Sequence, residues 1–191
     1  MQASPAMTEI AMTIRVLVAL VFLTAAYGKF RHWTVLQGVV ANYRLLPEVL
    51  VAPAAYLLPP VEAMLGAALL LGLESPWPEL GAAALLLLFA VGMGINLARG
   101  RRHIDCGCFQ SALKQTLNWK LVIRNIVLVL LSGVMLLTPG SPSDMFMLVN
   151  GCLAGGVLFL VLQSLTILWS IVPAWRRPPP TTVAREAEAG T

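Results

Sequence analysis

Five apolar runs, each about as long as a bilayer crossing requires, divide the chain, and this repeated length constrains the fold more than any single motif. A hydrocarbon core ~30 Å thick takes ~20 helical residues. Runs of that order occupy about 10–30, 49–73, 80–98, 121–137 and 145–172. Lipid cannot satisfy backbone polar groups, so such runs must satisfy their own as helices. Only 12% of the 191 residues are charged, about half the ~25% of a soluble domain. The expectation is an all-α integral membrane protein, a bundle of about five transmembrane helices. A nucleic-acid surface is excluded, because Lys and Arg sit singly or in pairs between apolar runs.

Residues 1–177 read as one polytopic membrane domain. Met1 to Met12 carries Glu9 and no basic residue before Arg15, unlike the positive leader of a secretory signal. The first run is therefore read as a retained span, with Arg15 snorkelling to the nearby boundary. Arg31 to Glu48 reads as a connector, with Trp33, Tyr43 and Arg44 as interfacial anchors. Pro53, Pro59 and Pro60 predict a kinked or broken second span. Glu74 to Glu79 reads as a turn. In the fifth run, Gly151 and Gly155 form a small-x-x-x-small pair that permits close helix approach, and Cys152 reads as a packed apolar residue. Residues 178–191 open on Pro178 to Pro180 and continue small and charged, the composition of a disordered tail.

Basic residues alternate along the chain. Lys29, Arg31 and Arg44 flank the first connector; Arg99, Arg101, Arg102, Lys114 and Lys120 mark the third; Arg176, Arg177 and Arg185 lie at the C-terminus. The second and fourth connectors have none. The positive-inside rule then predicts a cell (inner) membrane protein with its N-terminus outside and its C-terminus cytoplasmic.

Chemistry-capable side chains crowd into Asn96 to Gln110, which holds two of the three cysteines and one of the two histidines. Cys106-Gly-Cys108 can close on itself, because one glycine relieves the crowding of so tight a loop. A short strained ring is easily reduced, which suits a reversible dithiol/disulfide pair. Arg101, Arg102 and His103 favour the thiolate, while Asp105 opposes it. A metal reading stands beside the redox one: His103, Asp105, Cys106 and Cys108 offer mixed donors, but no second Cys/His pair completes a zinc site. Two thiolates alone could hold Cu(I). The remaining reading is two cysteines without chemistry.

Glu62 is the one carboxylate deep inside an apolar run. Such a group is costly in the bilayer unless protonated or paired. Lys29, Asn96 and Arg124 are its candidate partners, and both a structural ion pair and a proton or ligand site fit it. Arg124, near the start of the fourth run, is also read as snorkelling to the interface.

Together Gly28-Lys-Phe with His32-Trp33, Asn42-Tyr-Arg-Leu-Leu-Pro47, Leu58-Pro59 with Glu62, and Asn96…Arg99-Gly-Arg…Ile104-Asp-Cys-Gly-Cys-Phe109 with Arg124-Asn125 resemble the MauE family. These are methylamine utilisation membrane proteins related to DoxX-like four-helix proteins. The chain departs from the pattern at Gln110, where glycine is expected. The resemblance implies a DoxX-like four-helix core plus one further helix. It also implies a role in processing, transport or maturation of the disulfide-rich, periplasmic small subunit of methylamine dehydrogenase, beside a thioredoxin-like partner. Only Cys106 and Cys108 carry over as the redox pair. The alternative is a non-enzymatic scaffold or permease-like component with a structural or Cu(I)-binding Cys-Gly-Cys. One conflict follows: the client matures outside, yet the charge pattern puts the cysteines inside. Electrons enter from a cytoplasmic donor, or the loop folds back into the bundle, or the span count is off by one. No cofactor is firmly implied; a bound quinone could complete a relay, though no residue demonstrates it.

Overall fold

A computed structural model describes residues 4–72, 76–101, 117–137 and 145–175. Among these, six helices run in the order α1 (Pro5–Arg31), α2 (Trp33–Tyr43), α3 (Glu48–Leu70), α4 (Trp77–Ala98), α5 (Trp119–Leu137) and α6 (Met145–Trp175). Five contain segments long and apolar enough to cross a membrane: Ala6–Arg31, Glu48–Leu70, Trp77–Ala98, Trp119–Leu137 and Leu148–Leu168. Large side chains such as Leu57, Met64, Leu88, Leu130 and Leu160 are exposed around the helices. In water that surface would drive aggregation; in a bilayer it faces the apolar solvent. The protein is a multi-pass helical membrane protein, with five candidate spans among the described residues.

Proline sets several boundaries. Pro5 begins α1 directly after the extended Ser4, where its missing N–H would have had no partner anyway. Pro47 and Pro76 precede α3 and α4. Of the two outcomes expected from the prolines, a break is not realised: Pro53, Pro59 and Pro60 all lie within one helix from Glu48 to Leu70. Each proline deletes one backbone bond, a loss that membrane helices absorb when neighbours enclose them. Pro59 is fully buried. The connector after α1 is a second correction. Most of it is helix α2, which starts immediately beyond His32 and ends where Arg44 turns left-handed at φ 47°. Trp33 meets Tyr56 of α3 in a tilted contact, with 4.6 Å between ring centroids and 52° between the ring planes. Tyr43 packs beside the apolar cluster of Ala90, Met93, Leu97, Leu117, Leu121 and Val122. Trp33 and Tyr43 are both half-buried, each with part of its ring in contact with a neighbouring helix.

The chain divides into two compact units, Met1–Phe159 and Leu160–Thr191. In the second, Ser164 turns its hydroxyl back onto Leu160 O at 2.8 Å, the usual way for serine to satisfy itself inside an apolar helix. In the first, α1 is the central element. Of its apolar segment 56% is buried, against 22% for α3, and it packs on α2, α3 and α5. A Cβ on Gly66 of α3 would meet Ala19 O and Leu23 of α1. Further along, Glu62 meets Lys29, so these two helices run antiparallel. Gly151 and Gly155 of α6 close in the same way on Met12, Thr13 and Val16, the small-residue approach expected from their spacing. Cys152 between them is exposed, which corrects its reading as a packed residue. α4 and α5 share the cluster around Met93 and Leu121, joining the end of one to the start of the other. Successive spans thus alternate in direction. Arg31, Arg44, Arg99, Arg101 and Lys120 collect at one end of the bundle, called here the basic end.

Candidate functional site

The polar groups of the interior gather where α1, α3, α4 and α5 meet. Lys29, near the last turn of α1, directs its ammonium at both oxygens of Glu62, with Nζ donating to Oε1 at 2.5 Å and to Oε2 at 2.7 Å. Glu62 is fully buried and Lys29 is 6% exposed. Phe89 of α4 lies under the same ammonium, 5.2 Å from Nζ to the ring centroid, so its negative face adds to the attraction. Of the three partners the sequence offers for Glu62, the structure makes Lys29 a direct one. Asn96 instead donates from Nδ2 to Gly92 O at 3.0 Å.

Beside the pair is a cavity of about 20 Å³ lined by Val21, Phe22, Ala25, Lys29, Glu62, Leu86, Phe89, Arg124 and Asn125. That is room for one water molecule and far too little for a quinone ring. Arg124 is 9% exposed and lines this cavity. Its reading as a side chain snorkelling to the interface is therefore corrected: it lies under the bundle's cover, on the face of α5 that also buries Asn125 and Leu128. Asn125 is 2% exposed, and its Nδ2 has no hydrogen-bond partner among the described residues.

A second ion pair lies at the opposite end of α1. Arg15 donates to Glu79 Oε1 at 2.9 Å, with side-chain exposures of 14% and 5%. Arg15 thus reaches inward to a carboxylate, and Glu79 belongs to the first turn of α4 and not to a turn between spans. A glutamate at this third helical position commonly accepts the N-cap backbone N–H. Here the N-cap is Pro76, which has no N–H to give, and the side chain turns to Arg15. Two charged residues at matching depth near the same ends of two apolar runs were the available signal for this pair.

The sequence placed its redox candidates beyond the end of α4, and the first residues after that helix show how it stops. Gly100 adopts φ 75°, its N–H reaches Leu97 O at 3.0 Å, and the Arg101 N–H reaches Asn96 O at 3.0 Å. This pair of bonds is the Schellman helix end, which needs a left-handed residue and so favours glycine. The motif Asn96…Arg99-Gly-Arg101 is therefore a stop that fixes how the chain leaves α4. Arg102, His103, Asp105, Cys106 and Cys108 lie outside the described residues. Among the described residues, no cluster of three or more His, Cys, Asp or Glu could hold a metal ion.

These features define a multi-pass helical membrane protein whose ionisable residues pair inside the bundle. The family model described as "Methylamine utilisation protein MauE" matches residues 7–138, from α1 through the end of α5. The methylamine utilization protein MauE of Paracoccus denitrificans is 39% identical over 163 residues, covering 84% of this chain and 88% of the relative. That of Methylorubrum extorquens is 38% identical over 157 residues, 81% and 84% of the two chains. That of Methylophilus methylotrophus is 48% identical over 99 residues, 52% of each. The chain belongs to the MauE family. No solved structure matches it significantly.

Proposed function

We propose that this protein serves methylamine utilisation as a membrane component of disulfide maturation. In this reading it exchanges disulfides through Cys106 and Cys108 with a thioredoxin-like partner, on behalf of a secreted client such as the methylamine dehydrogenase small subunit. The observation that carries it is the match to the MauE family over residues 7–138, a span that includes both cysteines.

The exchange is a pair of displacements. The thiolate of one cysteine attacks the partner's disulfide, forming a mixed disulfide and releasing one partner thiolate. The second cysteine then attacks the mixed disulfide. This leaves Cys106–Cys108 oxidised and the partner reduced by two electrons. A further dithiol restores the pair. With the basic end at the cytoplasm, as the charge distribution favours, the N-terminus lies outside and this restoring dithiol approaches from the cytoplasm. The rival reading, a permease-like component or scaffold, loses the broken second helix that supported it, while the intramembrane Glu62 remains to it.

Client maturation in cells carrying single-cysteine variants tests the proposal. Cys106→Ser and Cys108→Ser should each abolish maturation, while Cys152→Ser should leave it intact. Full maturation with Cys106→Ser would favour the rival. Labelling by a membrane-impermeant maleimide supplies the sidedness: modification of Cys106 or Cys108 in intact spheroplasts would overturn the cytoplasmic assignment.

A further inference from the structure

The cavity beside the Lys29–Glu62 pair has an apolar side and a polar one. Phe22 of α1 and Leu86 of α4 belong to the first, Lys29 of α1 and Asn125 of α5 to the second. Two donors on the polar side have hydrogens to spare. Asn125 is 2% exposed, and its Nδ2 is buried with no hydrogen-bond partner among the described residues. A lysine ammonium has three hydrogens to give, and Lys29 directs two bonds at Glu62. A buried donor left unmet costs the whole of its lost hydration. Cavities lined by apolar groups alone stay dry, whereas one with at least two polar partners takes up water if it has room. The volume of about 20 Å³ meets the roughly 10–15 Å³ that one water molecule needs.

We propose that this cavity is a binding site for one internal water molecule, which accepts from Asn125 Nδ2 and from the third hydrogen of Lys29. A neutral ligand asks nothing of the charges on Glu62 and Arg124, which also line the cavity. The water gives α5 a polar link to the last turns of α1, two helices that already pack on each other. Asn125 is thereby a positioning residue: its carboxamide holds the water, and the water holds the remaining hydrogen of the ammonium. This link is independent of any disulfide chemistry at Cys106 and Cys108.

The test uses the full chain, labelled with nitrogen-15 in lipid bilayers, and proton-detected solid-state NMR with magnetisation transferred from water. In wild type the transfer should reach both the Asn125 side-chain amide and the Lys29 ammonium, groups that the bundle buries. A paramagnetic quencher confined to bulk water should leave both signals in place, because the donating water is enclosed. Asn125→Leu keeps nearly the same side-chain volume and removes the donor. In that variant the transfer to Lys29 should be lost while the Lys29 resonance itself persists. The wild-type arm needs no variant to fold. Absence of transfer to either group in wild type, its loss on adding the quencher, or undiminished transfer to Lys29 in Asn125→Leu would each overturn the proposal.

Discussion

Lys29–Glu62 and Arg15–Glu79 both tie α1 to a neighbouring span, but they do so in different surroundings. The first pair has its carboxylate at zero exposure, both oxygens bonded and an aromatic face beneath the ammonium. The second leaves Arg15 14% exposed, and one Glu79 oxygen is without a partner among the described residues. Water or lipid headgroups can share the load at the second pair, whereas the first is enclosed by the helices around it. Equal chemistry, placed at two depths along one helix, yields an enclosed interior clasp and a more exposed one near the other end of α1.

The sharpest break of that contrast is Glu62→Leu. It strands the Lys29 ammonium and should cost about 3–5 kcal/mol, the usual penalty for removing half of a buried pair. The double change Lys29→Met with Glu62→Leu should recover most of the loss, because apolar replacement of both partners is often neutral. Thermal unfolding in nanodiscs reads both. Arg15→Met should cost less, about 1–2 kcal/mol, since Arg15 is the more exposed partner and its pair is correspondingly weaker. A loss equal to that of Glu62→Leu would erase the distinction.

Glycines near the two pairs sharpen it further. A Cβ on Gly66, near Glu62, would stand 3.1 Å from the Ala19 carbonyl and 2.9 Å from Leu23 Cγ. Gly66→Ala should therefore cost about 1 kcal/mol through overpacking. At Gly81, near Glu79, the close neighbour at 2.7 Å is the tip of Leu65, which can swing aside. Gly81→Ala should lie within about 0.5 kcal/mol of wild type. Unfolding midpoints of the two variants, measured side by side, decide whether the packing around each clasp differs as their charges do.

The spans were legible because bilayer thickness dictates run length, and no competing force shortens an apolar helix. Glu62 was legible for a related reason, being a carboxylate where none can rest unpaired; among its candidates, Lys29 makes the direct ion pair. What stayed hidden depended on context. Helix α2 mixes Thr34, Gln37 and Asn42 with apolar residues over only 11 positions, too short and mixed to separate from a loop by periodicity. Continuity of α3 could not be read from its prolines, since the penalty of each depends on what encloses it. Glu79 looked like turn chemistry until the absence of an N–H on Pro76 redirected its side chain. Arg124 reads identically in sequence whether it snorkels or turns inward, and only the packing of α5 against α1 and α4 separates the two.

The α4 end and the α5 start are clasped by one apolar cluster, yet Arg99 to Asn118 puts 20 residues between them. Adjacent packed helices lie only ~8–10 Å apart, a gap that a few residues would bridge. Extended chain covers ~3.3–3.6 Å per residue, so 20 residues have a contour that greatly exceeds the distance they join. Doubling the length of a flexible connection costs only ~0.6 kcal/mol. The length of the connection is therefore not dictated by the gap it closes, while Gly100, left-handed at φ 75°, fixes the direction in which the chain leaves α4.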